Sequence, residues 1–151
     1  ILSINIANTL SHRGICYLFL NSISMNEIVP SLAYLYFSIM KSDNSIHEDE
    51  RKMLHEILDT NWKKISQKGD PFGAMGMELI ESMVMDLDEG EVKPQEAFDY
   101  FRSVFFKRKA EFDSNLRAFI LESSIQLAGS FNRMNKHELV SLSKLEILLK
   151  D

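Results

Sequence analysis

Asp43, Ser45, His47 and Asp49 alternate along the stretch SDNSIHEDE in the manner of the oxygen donors of a calcium loop, with Glu50 directly behind them. An EF-hand also needs glycine at the sixth position and a two-oxygen glutamate at the twelfth; Glu48 and Leu54 stand there, which excludes a standard EF-hand. Asp43 and Glu50 still offer a weaker divalent-cation site, and that cation is the one cofactor these residues suggest. Histidine chemistry is thinner. His55 and Glu56 begin an HExxH motif that Asp59 fails to complete, while His12 and Cys16 are one helical turn apart without a third group to orient them. No GxxxxGK[ST], GxGxxG or GxSxG sequence occurs. An enzyme here requires a pocket that gathers separated groups, such as His55 with an acid from another helix.

Two further charge groups are candidates for contact with other molecules. Lys107, Arg108 and Lys109 follow an apolar helix, where they favour its C-terminal dipole or meet an acidic partner or lipid headgroups. Asp86, Asp88, Glu89 and Glu91 surround Gly90 in an acidic turn that a cation can bridge. The 151 residues carry a net charge of -5, which argues against nucleic-acid binding, since that work needs concentrated Lys and Arg. Cys16 is the only cysteine, so an internal disulfide and a Cys-rich zinc centre are excluded; an intracellular, cytoplasmic protein fits best.

These side chains must be carried by helices. Residues 1–25 form an atypical segment in which Arg13 is the only fully charged side chain; its apolar run ICYLFL is too short to span a bilayer and is read as a docked helix. Met25 is an alternative start. From residue 26 to 151 the pattern is a single helical domain. Leu32, Leu35, Tyr36, Ile39 and Met40 recur at spacings of three and four, predicting a helix that stops near Lys41. Met53, Leu54, Ile57, Leu58, Trp62 and Ile65 predict a second, and Met75, Leu79, Ile80, Met83, Val84 and Leu87 a third, opened by Asp70 and Pro71. Gly90 is expected at positive φ and Pro94 at the start of a fourth, lined by Phe98, Phe101, Val104 and Phe105. Leu116, Phe119, Ile120, Leu127 and Ala128 mark the next, and Leu139, Leu142, Leu145, Leu148 and Leu149 the last. The expected fold is all-α, a compact bundle of six to seven helices; the eight methionines mostly fall in register with Leu and Ile as core filler.

Two junctions share one construction. An offset of 88 residues pairs Ile39 with Leu127, Asn44 with Asn132, Ile46 with Met134, Glu50 with Glu138, Leu54 with Leu142 and Ile57 with Leu145. The bundle therefore contains a duplicated helix-turn-helix. Asn135 is a natural N-cap with Glu138 in place to complete a capping box, Met134 can staple on Leu139, and His47 and Glu50 repeat the arrangement in the first copy.

At this point the chain resembles the TerB-like family, named for tellurite-resistance protein B and including a domain of a DnaJ-type co-chaperone. KSDNSIHEDER is similar to the family's aDG-x-hydrophobic-x-x-x-E signature, with Asn44 at the glycine position, and LAGSFNRMNKHE is similar to its degenerate second copy, with Phe131 in place of the acid. The resemblance implies an all-helical pseudo-duplicated fold and a role in stress response, membrane-associated complexes or metal-ion sensing, with no established reaction. Asp43 and Glu50 match the family's acidic surface, Glu138 half of a second pair.

The leading expectation is a non-enzymatic interaction module for a protein partner, with peripheral attachment to the inner face of a membrane. Its candidate contact residues are Glu48, Asp49, Glu138, Lys107, Arg108 and Lys109. Divalent-metal sensing through Asp43 and Glu50 comes second, and an enzyme third.

Overall fold

In the computed structural model the described residues are 27–42, 44–62, 73–129 and 135–151, and they build an all-α bundle. Its helices are α1 (Ile28–Met40), α2 (Glu48–Ile57), α3 (Gly73–Glu89), α4 (Pro94–Lys107), α5 (Ser114–Ala128) and α6 (Lys136–Lys150). A π-helical turn, Leu58–Trp62, prolongs α2, and a 3-10 turn, Lys109–Glu111, precedes α5. No strand occurs among the described residues. The docked helix expected in residues 1–25, the Asp70 and Pro71 opening and the Met134 staple lie outside them.

The bundle is organised around α1. Its sequence IVPSLAYLYFSIM is apolar nearly all round, and all 13 residues are buried, with α3, α4, α5 and α6 packed against it. The single stripe expected from Leu32, Leu35, Tyr36, Ile39 and Met40 is only part of this surface, because Ala33, Tyr34 and Phe37 on the other sides are covered as well. Two serines tolerate the burial by turning back on their own helix: Ser31 Oγ donates to Ile28 O and Ser38 Oγ to Leu35 O, both at 2.6 Å. The Tyr34 and Tyr100 rings, with centroids 4.3 Å apart, join α1 to α4. Phe101 and Phe105 of α4 form a buried aromatic cluster with Phe112.

The 88-residue offset carries over into the helix boundaries. Added to Met40, the last residue of α1, it gives Ala128, the last of α5; added to Glu48, the first of α2, it gives Lys136, the first of α6. Leu32 and Ile120, Ile39 and Leu127, Leu54 and Leu142, and Ile57 and Leu145 are all buried. The packing is reciprocal as well, since α1 contacts α6 while α2 contacts α5. Where the leading helices α1 and α5 meet, Ser123 Oγ donates to Ile120 O at 3.1 Å, so Tyr36 must be the donor in its 2.8 Å bond to Ser123 Oγ. Burial raises the Tyr36 phenol far above its usual value, which keeps that proton in place.

Two turns refine the sequence reading. Asn44 has φ 74°, the left-handed geometry that its place in the first junction asks for. At the end of α3 the left-handed residue is Glu91, φ 56°, and not Gly90 as expected. Val92 N donates to Leu87 O and Glu91 N to Asp88 O, which is the bonding of a Schellman cap; its left-handed position, where glycine is usual, falls here on Glu91, with Gly90 one place too early.

Ion pairs close one pole of the bundle. Glu27, just before α1, accepts from Lys107 Nζ at 2.9 Å and lies 3.5 Å from Arg108 Nε; Arg108 also meets Glu111, and Lys109 meets Asp151. The Lys107 hydrogen bond, with Arg108 beside it, holds the Glu27 carboxyl below its ordinary value. A carboxyl depressed by folding contributes stability above the unfolded-state value and loses it as pH falls through the folded one. Glu27→Gln should therefore unfold more easily than the parent at pH 7 by less than about 1 kcal/mol, because the Lys107 ammonium is largely exposed and water screens the pair, and the gap should close below pH ~4. Urea titrations of both proteins at the two pH values check this.

Candidate functional site

The first turn of α2 sorts its three acids by position. Glu50, at the third helical place, turns inward and is 2% exposed, and its Oε1 accepts from His47 N at 3.0 Å. Glu48 and Asp49 stand exposed beside it. The second copy repeats the inward carboxylate: Glu138 is 5% exposed, its Oε2 accepts from Asn135 N at 2.7 Å, and Glu138 N donates to Asn135 Oδ1 at 2.8 Å. The expectation that Glu138 offers a contact surface is corrected by this geometry. A glutamate at that place bends back over its own helix start, so the capping bond and burial take it out of solvent together.

Glu50 was also the second half of the suggested cation site. Its carboxylate serves the helix start, and Asp43 lies outside the described residues. Among the described residues no group of three or more His, Cys, Asp or Glu side chains converges.

The remaining polar residues of α2 face outward or toward α3. Lys52, His55 and Glu56 are exposed, and with Glu48 and Arg51 they line a shallow open depression along the helix. His55 Nδ1 is 2.8 Å from Glu81 Oε1 of α3, the acid from another helix that histidine chemistry would require, yet the pair sits at the surface with the imidazole 60% exposed. The acidic turn finds its cations within the chain: Asp88 is 2.6 Å from Lys41 Nζ and 3.6 Å from Arg51 Nη2, which fastens the first junction to the end of α3. Lys107, Arg108 and Lys109 are held by Glu27, Glu111 and Asp151 as described above.

Arg117 carries a structural role that its sequence surroundings do not announce. Its Nε donates to Phe112 O at 2.7 Å and its Nη1 to Leu149 O at 2.9 Å, while the guanidinium lies 5.0 Å above the Phe105 ring. One side chain thereby answers a carbonyl at the end of α6 and braces the aromatic cluster. The only sequence sign is its place in the first turn of α5.

No family model, curated protein or solved structure matches the chain. Among the described residues no helix is long and apolar enough to cross a membrane.

Proposed function

We propose that the chain is a non-enzymatic helical interaction module that receives a protein partner on the outer face of α2. The observation that carries this reading is the division of α2 into two faces. Glu50, Leu54 and Ile57 are committed to the cap and the core, whereas Glu48, Asp49, Lys52, His55 and Glu56 are exposed on an open surface and leave the packing untouched. Such a surface, shallow and dense in charge, suits the reading of a complementary protein face better than the enclosure of a small substrate.

A TerB-like affiliation belongs to the same proposal. It is supported by the left-handed Asn44 at the place of the signature glycine and by the equal length of the two junctions. With it come a role in stress response and attachment, through the partner, to a complex at the inner face of a membrane.

The test uses a partner captured on the immobilised full chain and then purified. Titrated against that partner, Asp49→Lys is expected to lose about tenfold or more in affinity by placing like charges together, with unchanged circular dichroism. Equal affinities for the parent and the variant would reject the α2 face.

A further inference from the structure

Leu139 departs from its expected place on the core stripe of α6. It is 53% exposed, with Val140 at 46% and Ile147 at 73%, on the side of the helix turned away from Leu142, Leu145 and Leu149. The exposed residues of that side keep a regular spacing: Lys136, Val140, Ser143, Ile147 and Lys150 follow one another at steps of four, three, four and three. Such a row is the seam of a helix that packs against another helix, since an average step of about 3.5 residues keeps successive side chains turned to one partner. Ser143, at its middle, donates its hydroxyl to Leu139 O at 2.8 Å and therefore tolerates being covered.

The repeat sets this face apart from its counterpart on α2. At the 88-residue offset Arg51, Lys52 and Asp59 stand where α6 has Leu139, Val140 and Ile147, so the apolar centre belongs to the second hairpin alone. The charges are inverted as well. Glu48 and Glu56 of the α2 face correspond to Lys136 and Lys144, all four exposed, so the two faces call for partners of opposite charge.

The lysines decide what kind of helix fits the seam. Lys136 and Lys150 lie on the seam itself, at its two ends, about 21 Å apart along the axis. Against a second copy, an antiparallel pairing centred on Ser143 sets Lys136 opposite Lys150, and a parallel pairing sets each lysine opposite itself. Both orientations bring like charges together at both ends of a short apolar contact. A lipid surface fits no better, because a helix lying in a bilayer interface keeps its cations on the polar side, and here they stand on the line that would be immersed deepest. A helix with apolar residues at its centre and a carboxylate near each end answers every one of these side chains. Lys150 is 3.2 Å from Glu146, one turn away, but both side chains are more than half exposed and the pair is free to exchange.

We infer that the outer face of α6 receives an acidic helix of another protein, apolar across Leu139, Val140 and Ile147 and bearing carboxylates against Lys136 and Lys150. This surface is separate from the α2 face and does not depend on the reading given to it.

The probe is a synthetic helical peptide of about four heptads, with leucine at the central seam positions and glutamate at seam positions two heptads apart; a control peptide carries lysine in place of those glutamates. Titrated against the full chain by fluorescence anisotropy, the glutamate peptide should bind saturably and about tenfold or more tightly than the control. Ile147→Asp should weaken it about tenfold or more, the double variant Lys136→Glu with Lys150→Glu should reverse the preference between the peptides, and Asp49→Lys on α2 should change nothing, all with unaltered circular dichroism. Sedimentation velocity of the parent chain and flotation with phosphatidylglycerol vesicles complete the test. The inference is overturned by absence of saturation with the glutamate peptide, by equal affinity for the two peptides, by a double variant that keeps the parent's preference, or by an effect of Asp49→Lys as large as that of Ile147→Asp. A parent dimer that Ile147→Asp dissociates would make a second copy the occupant, and vesicle binding lost in that variant would make it a lipid surface.

Discussion

Replacement of Phe101 by alanine is expected to cost about 3–5 kcal/mol, a large part of the 5–15 kcal/mol by which a domain of this kind exceeds its unfolded chain. Phe101 is fully buried, and its ring centroid lies 6.1 Å from that of Phe112 in an edge-to-face arrangement, with Phe98 and Phe105 at 6.5 and 6.4 Å. Truncation removes both the transfer free energy of the ring and these contacts, and the neighbouring rings are too rigid to fill the space. The melting temperature should fall by roughly 6–20 °C, measured by calorimetry. Phe106, next in the chain, is 47% exposed and stacks under Arg102 at the surface; its alanine variant should change stability by about 1 kcal/mol or less. Similar losses from the two variants would contradict the inward direction of the α4 cluster.

The second large effect belongs to the paired capping glutamates. Glu50→Ala and Glu138→Ala should each destabilise by about 1–3 kcal/mol, since each strands a backbone N–H at a helix start and leaves a space where a nearly enclosed side chain was. Glutamine keeps an oxygen that can accept the same bond, so Glu50→Gln and Glu138→Gln should retain most of the stability in urea unfolding. Glutamine variants as unstable as the alanine ones would show that the carboxylate charge, and not the cap, is what the site requires. Asp49 sits beside Glu50 but faces solvent, and Asp49→Lys should leave stability nearly unchanged while affecting partner affinity.

How far the sequence foretold these features depends on whether their cause was local. Pro94 opening α4 and Asn135 capping α6 follow from the conformational limits of single residues, and the structure bears them out. The duplicated hairpin was legible because its spacing repeats through both junctions. Other features depend on what folds against what. The burial of α1 on every side comes from four helices meeting on it, and a search for one stripe stops at Leu32, Leu35, Tyr36, Ile39 and Met40. Leu139 shares helical spacing with the core leucines, yet the core is centred on Leu142, Leu145 and Leu149, and the residue falls outside that arc.

The candidate site was legible in part for the same reason. Glu48 and Asp49 were recognised as surface acids, and His55 was paired in advance with an acid from another helix, although not with Glu81 in particular. Glu138 was read both as the carboxylate that completes the Asn135 capping box and as a contact residue; the first role holds, and it excludes the second because the third position of a helix turns the carboxylate back to the backbone and out of solvent. The bridges from Asp88 to Lys41 and Arg51 join residues 47 and 37 positions apart, and no local spacing announces them. Arg117 escaped notice because both carbonyls it serves become its neighbours only when α5 and α6 pack.

The account as a whole requires the two hairpins to meet through their leading helices, and Tyr36 with Ser123 is where that meeting is made by a hydrogen bond, 87 residues apart in the chain. A double-mutant cycle on Tyr36→Phe and Ser123→Ala, followed by urea unfolding, measures it. A coupling of about 0.5–3 kcal/mol is predicted, as for buried groups in direct contact. Strict additivity of the two substitutions would mean that α1 and α5 do not touch there, and the shared interior built on that contact would have to be abandoned.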